Sequence, residues 1–385
     1  MTHIAMVNVP IVSHVLPGLE VIRELVSRGH RVTYATDPAR ADLVKGVGAE
    51  LVPCTSVLPF AGNSWPDDPI AAASLFLDDA VQSLPQLRAA YAQDPADLYL
   101  YDIGAYAARA LAEAQRRPLL QLSPTFVAWQ GYEEDVAAHL RRLPGADAYQ
   151  ERFGRWLAEC GATTTDVDAF SGLPDRVLAL IPRAMQPKAE RVDGDRVTFV
   201  GPCYGPAEDR WTRPVNAERV LLISLGTAYN HRPAFYRSCL AAFGDLPGWH
   251  VVLQIGRHTE VSELGPIPAN VDVHSWVPQR AILAEADAFV THAGMGGSSE
   301  GLAAGVPMIA VPQGAEQVMN ADRLVELGVA HRLDTDAATP DALRTALLTL
   351  VTDSDVARRL RVLKAEARAE GGTQRAADLI EGLLG

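Results

Sequence analysis

The feature that most constrains the fold of this chain is a twice-repeated alternation of short apolar runs with helical stretches. In the first half the β-rich runs are 4–9, 30–36, 98–102 and 118–123. In the second half they are 219–226, 250–256, 271–277, 288–292 and 307–312. Strands that alternate with helices predict parallel sheets covered by helices on both faces. We therefore predict an α/β protein in which two Rossmann-like domains face each other across a cleft.

The 385 residues suffice for two domains of ordinary size. The segment 200–218, which contains three prolines and two glycines, separates the two series of strands, and 206–218 within it is predicted to be the linker. The N-terminal domain is then 1–205 and the C-terminal domain 219–365. The final helical segment, 366–385, is expected to join the first domain after a break at two consecutive glycines.

Charge and cysteine content narrow the functional classes. With 47 acidic against 34 basic residues the net charge is −13, which disfavours binding to nucleic acid or to an anionic membrane. The four cysteines are far apart and form no CxxC pair, so free thiols are expected. No apolar run reaches the ~20 residues of a membrane span, and the N-terminus lacks signal-peptide features. These observations predict a cytoplasmic protein.

The stretch HAGMGGSSE, 292–300, follows an apolar run and is predicted to carry an anion site. Its glycines let backbone N–H groups approach a ligand, and a helix beginning near Gly297 or Ser298 adds unpaired donors. His292 is placed to donate to a phosphate oxygen, and Glu300 to accept from a ribose diol. A serine-capped helix after a tight turn explains the stretch equally well when it is considered alone.

Three further strand ends in the second half carry polar or aromatic side chains. They hold Ser224, Gly226 and Thr227; Trp276 and Gln279; and Glu316 and Gln317. An indole ring can stack on a base, an amide can bind the edge of that base, and carboxylate and amide groups bind vicinal hydroxyls. Each group alone is typical of an ordinary loop, but together with the glycine-rich stretch they favour a nucleotide-diphosphate sugar as ligand.

The first domain offers a candidate general base in His14, in the loop between the first strand and a helix predicted to open at Pro17. Asp102 ends another strand, and a carboxylate bonded to one imidazole nitrogen leaves the other free to take a proton. Two alternatives stay open: an ordinary surface histidine, and Asp102 as the cap of a helix at 105–115. The DGD at 193–195 is interpreted as a turn, and no metal site is predicted.

Aromatic residues cluster in 55–80 and 125–170, where the strand–helix rhythm weakens. They are Phe60, Trp65, Phe76, Phe126, Trp129, Tyr132, Phe153 and Trp156, and the first five are predicted to contact a ligand. Ordinary core packing is the alternative for each of them. The functional hypothesis is an apolar wall for a hydrophobic ligand.

Four segments, 19–35, 233–257, 276–313 and 370–380, carry a resemblance that covers nearly the whole chain. They resemble the family 1 GT-B glycosyltransferases that use UDP-sugars, and most closely the bacterial macrolide glycosyltransferases that inactivate oleandomycin-type antibiotics. The resemblance implies an acceptor-binding N-terminal domain and a donor-binding C-terminal domain. It also implies a cytoplasmic monomer or homodimer that needs no metal or cofactor.

The resemblance further implies an inverting hexosyl transfer, in which His14, oriented by Asp102, deprotonates an acceptor hydroxyl. A UDP-sugar, with glucose the expected sugar, then gives a β-glycoside of a hydrophobic natural product such as a macrolide or a phenol. A dTDP-deoxysugar donor is the alternative. The donor-binding residues that it implies are Ser224, Gly226, Thr227, Trp276, Val277, Gln279, His292, Gly296, Gly297, Ser298, Glu300, Glu316 and Gln317.

The chain departs from that family at three places. Glu316 stands where an aspartate is usual, the first loop has HVLP where HVNP is common, and 125–160 is short.

Two functional classes other than a glycosyltransferase are considered as alternatives. A nicotinamide-dependent oxidoreductase is disfavoured because no GxGxxG follows the first strand. A non-catalytic nucleotide-sugar binder would bind donor but transfer nothing.

Overall fold

A computed structural model describes residues 2–61, 65–205, 210–226 and 230–384. The chain divides into two compact units, Met1–Tyr204 with Glu370–Gly385, and Gly205–Ala369. Each unit is built on its own parallel sheet, so the predicted α/β class is confirmed. Within the described ranges, no helix combines the length and the apolarity that crossing a bilayer requires.

The first unit contains a seven-stranded sheet with the order β3-β2-β1-β4-β5-β6-β7. Its strands are β1 (His3–Val7), β2 (Arg31–Thr36), β3 (Glu50–Pro53), β4 (Leu98–Asp102), β5 (Leu119–Ser123), β6 (Val177–Ala179) and β7 (Val197–Phe199). Its helices are α1 (Val12–Ser27), α2 (Ala41–Gly46), α3 (Pro69–Ala90), α4 (Tyr106–Gln115), α5 (Ala138–Leu140), α6 (Ala146–Glu159) and α7 (Val167–Ser171). All neighbouring strands are parallel, and an apolar cluster covers each face of the sheet.

The second unit contains a six-stranded parallel sheet with the order β10-β9-β8-β11-β12-β13. Its strands are β8 (Arg219–Ser224), β9 (Trp249–Gln254), β10 (Val271–His274), β11 (Ala288–Thr291), β12 (Met308–Ala310) and β13 (Ala330–Arg332). Its helices are α8 (Pro233–Phe243), α9 (Gln279–Leu283), α10 (Met295–Ala304), α11 (Ala315–Glu326), α12 (Pro340–Thr352) and α13 (Ser354–Ala369).

The last helix, α14 (Gly372–Glu381), belongs to the first unit. Gly371 stands between α13 and α14 with a φ of 92°, a left-handed conformation that ends a helix easily because glycine has no Cβ. Ile380 is fully buried with the core residues of α1. Arg28 at the end of α1 donates to the carboxylates of Asp378 and Glu381. These contacts attach α14 to α1.

The predicted start of the first helix was wrong. The helix begins at Val12 and encloses Pro17, so His14 lies in its first turn and not in a loop. Val15 is fully buried in that turn. Burial of an apolar side chain stabilises the turn by about 1.5–3 kcal/mol, which offsets the hydrogen bond that the proline ring removes. Packing on the sheet therefore decided where this helix begins.

Candidate functional site

Both sheets reverse their strand order at one point, between β1 and β4 in the first unit and between β8 and β11 in the second. In open α/β sheets, ligands bind beyond the carboxyl ends of the strands at such a switch point. His14 follows β1 and Asp102 ends β4, whereas Ser224 ends β8 and His292 follows β11. The topology thus brings the predicted residues to the switch point of each sheet.

His14 and Asp102 form a hydrogen-bonded pair. The Nδ1 atom of His14 lies 3.0 Å from both carboxylate oxygens of Asp102. Asp102 is only 1% exposed, and the backbone N–H of Gly104 also donates to its Oδ1 at 2.8 Å. Because a carboxylate accepts, we assign the ring proton to Nδ1, which leaves Nε2 as the basic atom. The carboxylate of Asp102 therefore fixes the orientation of the His14 ring.

The interpretation of Asp102 as a helix cap was wrong. The N-cap of α4 is Ala105, and its first turn has no side-chain cap. The backbone carbonyl of Asp102 accepts from the Ala105 N–H, while the carboxylate serves His14 and Gly104. The local turn therefore uses both the main chain and the side chain of Asp102, and the carboxylate still has oxygen lone pairs left to bond the histidine.

Gly104, which sequence reasoning missed, connects the acid to the predicted acceptor wall. A Cβ at this position would lie 3.0 Å from the Phe76 ring and 3.2 Å from Asp102 Oδ1. Trp65 stacks on Phe76 with ring centroids 5.7 Å apart and planes 25° from parallel. Both rings are half-buried. Two of the five predicted aromatic residues thus form a continuous apolar surface beside the His14–Asp102 pair.

The other aromatic residues have separate environments. Phe60 lies under the Arg40 guanidinium, 5.0 Å from the ring centroid. Trp129 contacts Tyr132 edge-on, and its Nε1 donates to Asp135 at 2.9 Å. Phe126 is half-buried, whereas Phe153 and Trp156 lie in the core cluster with Phe170. Core packing was therefore the correct alternative for Phe153 and Trp156.

His292 in the second unit is packed between two glycines. A Cβ at Gly226 would lie 2.6 Å from the imidazole ring and one at Gly294 would lie 2.4 Å from it. Burial lowers the pKa of His292 to about 4, and a backbone hydrogen bond with Ser224 opposes this shift only in part. At neutral pH the ring is uncharged. It can therefore offer a ligand an N–H donor but not a positive charge.

The helix after His292 begins earlier than predicted, at Met295 with Gly294 as its N-cap. Gly296, Gly297 and Ser298 therefore lie at the start of the helix, and the alternative of a serine-capped helix was wrong. The backbone N–H groups of Gly296 and Gly297 belong to the first turn, where such groups have no partner within the helix, and the dipole there favours an anion. The Ser298 N–H already donates to the Gly294 carbonyl at 2.9 Å. The Ser298 hydroxyl is fully buried and has no hydrogen-bond partner among the described residues.

Ala293, just before this helix, adopts a left-handed conformation with a φ of 58°, which is rare for alanine. Its N–H donates to Thr291 Oγ1 at 3.2 Å, and its carbonyl accepts from Asn320 Nδ2 at 2.9 Å. These bonds hold the strained residue in place. Asn320 was missed by sequence reasoning, because an asparagine inside a helix gives no signal of a partner 27 residues away.

The residues predicted to bind base and ribose are neighbours. Gln279 opens α9, and its Nε2 donates to Glu300 Oε2 at 2.5 Å. Burial raises the pKa of Glu300, while the bond from Gln279 and the charge of Arg280 act in the opposite direction. Trp276 is 62% exposed, so its ring face is available for stacking. An exposed indole three residues before an amide that bonds a carboxylate suits a nucleoside.

Gln254 is a third residue that sequence reasoning missed. It is buried at the end of β9, where Nε2 donates to Ser224 Oγ at 3.2 Å. Its Oε1 accepts from the Val277 N–H at 3.1 Å. The Gln254 side chain therefore links Ser224 at the end of β8 to Val277 after β10, two of the residues predicted to bind the sugar donor. Its only signal in the sequence was a polar residue ending an apolar run. Thr227 lies outside the described residues.

Glu316 and Gln317 lie in the first turn of α11, not at the end of a strand. Glu316 is exposed, whereas Gln317 is buried and its Oε1 accepts from the Gln313 N–H at 2.8 Å. The amide nitrogen of Gln317 can still act as a donor to a ligand.

Among the described residues no group of three or more His, Cys, Asp or Glu side chains is placed to hold a metal ion. The DGD segment forms the predicted turn, in which the Asp195 N–H donates to Asp193 Oδ1 at 3.0 Å. The four cysteines are free and buried.

Comparison with known proteins gives consistent relatives over the full chain. A family model described as "Erythromycin biosynthesis protein CIII-like, C-terminal domain" matches residues 237–382. The oleandomycin glycosyltransferase of Streptomyces antibioticus is 54% identical, over 99% of this chain and 91% of that protein. The NDP-glycosyltransferase YjiC of Bacillus subtilis is 32% identical, over 99% and 97%.

Two solved structures are similar along their whole length. The crystal structure of the kitacinnamycin glycosyltransferase has a TM-score of 0.91 and 51% identity, and the match covers 99% of this chain and 98% of that one. The calicheamicin glycosyltransferase CalG4 has a TM-score of 0.90 and 34% identity, with coverage of 100% and 98%.

Proposed function

This chain belongs to the GT-B glycosyltransferases, in the group that contains the bacterial macrolide and antibiotic glycosyltransferases, and we propose that it glycosylates hydrophobic natural products with inversion at the sugar. It is a hexosyltransferase. The proposed donor is UDP-glucose, and the proposed acceptor is a hydroxyl of a macrolide or of a phenol.

The observation that carries the proposal is the His14–Asp102 pair. With Nδ1 directed to the buried carboxylate, Nε2 is the atom that takes the acceptor proton. Asp102 orients the ring and stabilises the imidazolium that forms. The surface of Trp65 and Phe76 beside the pair suits an apolar acceptor, because it keeps water from the reacting hydroxyl.

In the proposed reaction, His14 Nε2 removes the hydroxyl proton while the acceptor oxygen attacks the anomeric carbon. The bond from that carbon to the diphosphate breaks, and UDP leaves with the electron pair. An α-linked donor then gives a β-glycoside, and His14 returns its proton to solvent. Each bond formed in this step is matched by one broken, so no oxidant or further reactant is needed.

The donor is proposed to bind in the second unit. Trp276 and Gln279 would take the uracil and Glu300 the ribose, since Gln279 is hydrogen-bonded to Glu300 and the Trp276 ring, three residues before Gln279 in the sequence, is exposed. The first turn of α10 and the neutral His292 would take the diphosphate, which gains negative charge as the bond breaks. This arrangement stabilises the leaving group with N–H donors and requires no metal.

The sugar is the least constrained part of the proposal. Glu316 is exposed at the start of α11, and its longer side chain places the carboxylate differently from the aspartate usual in this family. A dTDP-deoxysugar is therefore the second candidate donor. Cytoplasmic location, and a monomeric or homodimeric state, stay predictions.

The test is mass spectrometry of reactions with UDP-glucose and with dTDP-sugars over a panel of macrolides, flavonoids and simple phenols. The proposal expects a product heavier by one hexose with UDP-glucose, and no product with His14→Ala. A hexose product from His14→Ala at the wild-type rate would refute the assigned base. If the enzyme turned over dTDP-sugars and not UDP-glucose, the donor would be a dTDP-sugar.

A further inference from the structure

The first turn of α1, which carries His14, is weakly held by its own sequence. Its N-cap residue, Ile11, has no capping side chain, and the turn contains no acidic residue to favour the helix dipole. Pro17 in the next turn has no N–H and so removes one helical hydrogen bond. A missing cap alone costs about 1 kcal/mol. The turn that positions the proposed base therefore depends on contacts from outside the helix.

Asn8, which follows β1, supplies such a contact. Its Nδ2 donates to the backbone carbonyl of His14 at 3.2 Å and to the hydroxyl of Tyr34 at 3.0 Å. Asn8 is 5% exposed and Tyr34 is fully buried, so the bond between them is shielded from water, and the bond to His14 is partly shielded. A carbonyl oxygen can only accept, which fixes the amide with its nitrogen toward His14.

The remaining atom of the amide, Oδ1, is buried without a partner among the described residues. Asn8 and Thr36 both line a cavity of about 20 Å³ beyond the ends of β1 and β2. That volume fits one water molecule. Thr36 shares the cavity and the burial of Asn8, but its hydroxyl has no hydrogen-bond partner among the described residues, so it provides a matched control position.

We propose that Asn8 is a positioning residue for the base: its amide, anchored by Tyr34, ties the His14 main chain to the first sheet. The proposal rests on the function assigned to His14 above. It adds a residue that touches neither substrate and acts only through the first turn of α1. No motif in the sequence distinguishes Asn8 from any other asparagine that follows a strand.

The first experiment compares Asn8→Ala with wild type on two acceptors. One is a phenol that stays protonated at the assay pH, and the other is a nitrophenol that is ionised there and needs no base. For the protonated phenol we expect kcat to fall about 10-fold, with the KM for UDP-glucose unchanged. For the ionised nitrophenol we expect less than a 2-fold change. Tyr34→Phe should give a smaller loss with the same selectivity, and Thr36→Val no loss.

The second experiment measures hydrogen–deuterium exchange of the intact protein without substrates. Asn8→Ala should accelerate exchange of the amides in residues 14–19 about fivefold, because a lost hydrogen bond weakens the turn by about 1 kcal/mol. Exchange in α4 should stay at the wild-type rate. This readout does not depend on transfer activity.

An equal loss of kcat with both acceptors would mean that Asn8 stabilises the fold as a whole and does not position His14, and it would overturn the proposal. Unchanged kinetics together with unchanged exchange would overturn it as well. Failure of the proposed function has a different signature, since wild type would then transfer no sugar or His14→Ala would stay active. In that case the exchange measurement still decides whether Asn8 holds the first turn.

Discussion

Because His292 is neutral in the folded protein, we predict that the free energy of unfolding falls as the pH is lowered. Its ring lies between Gly226 and Gly294, and burial lowers its pKa from 6.5 to about 4. In the unfolded chain the ring takes up a proton near pH 6.5, but in the folded protein it does so only near pH 4. The stability that the neutral ring provides is therefore complete above pH 6.5 and is lost as the pH falls toward 4.

The expected loss of unfolding free energy follows from the lowered pKa of His292. A difference of about 2.5 pKa units corresponds to about 3.4 kcal/mol in total, of which about 2 kcal/mol is lost by pH 5. His292 as a residue is only partly buried, and solvent screening reduces this loss to about 1–2 kcal/mol. Such a loss is a large fraction of the stability of an ordinary domain.

The assay is urea unfolding at pH 7 and pH 5, without nucleotide, for wild type and for His292→Gln. Other groups titrate in both proteins, so the measured quantity is the difference between their losses of unfolding free energy. We expect wild type to lose about 1–2 kcal/mol more than the variant. The His292 Cε1–H resonance, identified by its absence in the variant, should not titrate above pH 5. Equal losses, or titration of that resonance near pH 6.5, would refute the assignment of a neutral ring.

Further predictions concern the two proposed sites. Asp102→Asn should lower kcat at least 100-fold with little change in the KM for UDP-glucose, as steady-state kinetics would detect; an unchanged kcat would remove the acid from the mechanism. Gly226→Ala should lower the unfolding free energy by about 2 kcal/mol or more in urea titrations, since φ is 73° and the new Cβ meets His292. Trp276→Ala should raise the Kd for UDP about 10-fold in calorimetry, and an unchanged Kd would exclude stacking. Transfer should persist after dialysis against EDTA, whereas restoration of a lost activity by Mg²⁺ would contradict the metal-free proposal.

The main elements of both sheets could be predicted because their strands are short apolar runs between turn signals. Helix starts could not be predicted as well. Pro17 and the serines near 298 are common start signals, yet the helices begin at Val12 and at Met295. In the first case, burial of Val15 outweighs the proline. In the second, Gly294 supplies the extended N-cap conformation, so no serine is needed.

Some residues of the candidate site could likewise be predicted from the sequence, and others could not. His14, Asp102 and His292 were identifiable because each is a reactive side chain next to the carboxyl end of an apolar run. Gln254, Asn320 and Gly104 were not, because their partners lie far away in sequence or are ring faces. Such residues carry no signal of their own, since their role arises only when the strands are side by side.

The sequence by itself determined the α/β class, the order of strands and helices, and the polar groups at the strand ends, because periodicity and composition are local properties. Only the tertiary structure decided that Asp102 bonds His14 rather than capping a helix, and that His292 is enclosed by two glycines. It also decided that Asn8 reaches the turn of the proposed base. These outcomes depend on burial and on distances between segments, which are fixed when the sheets assemble and not before.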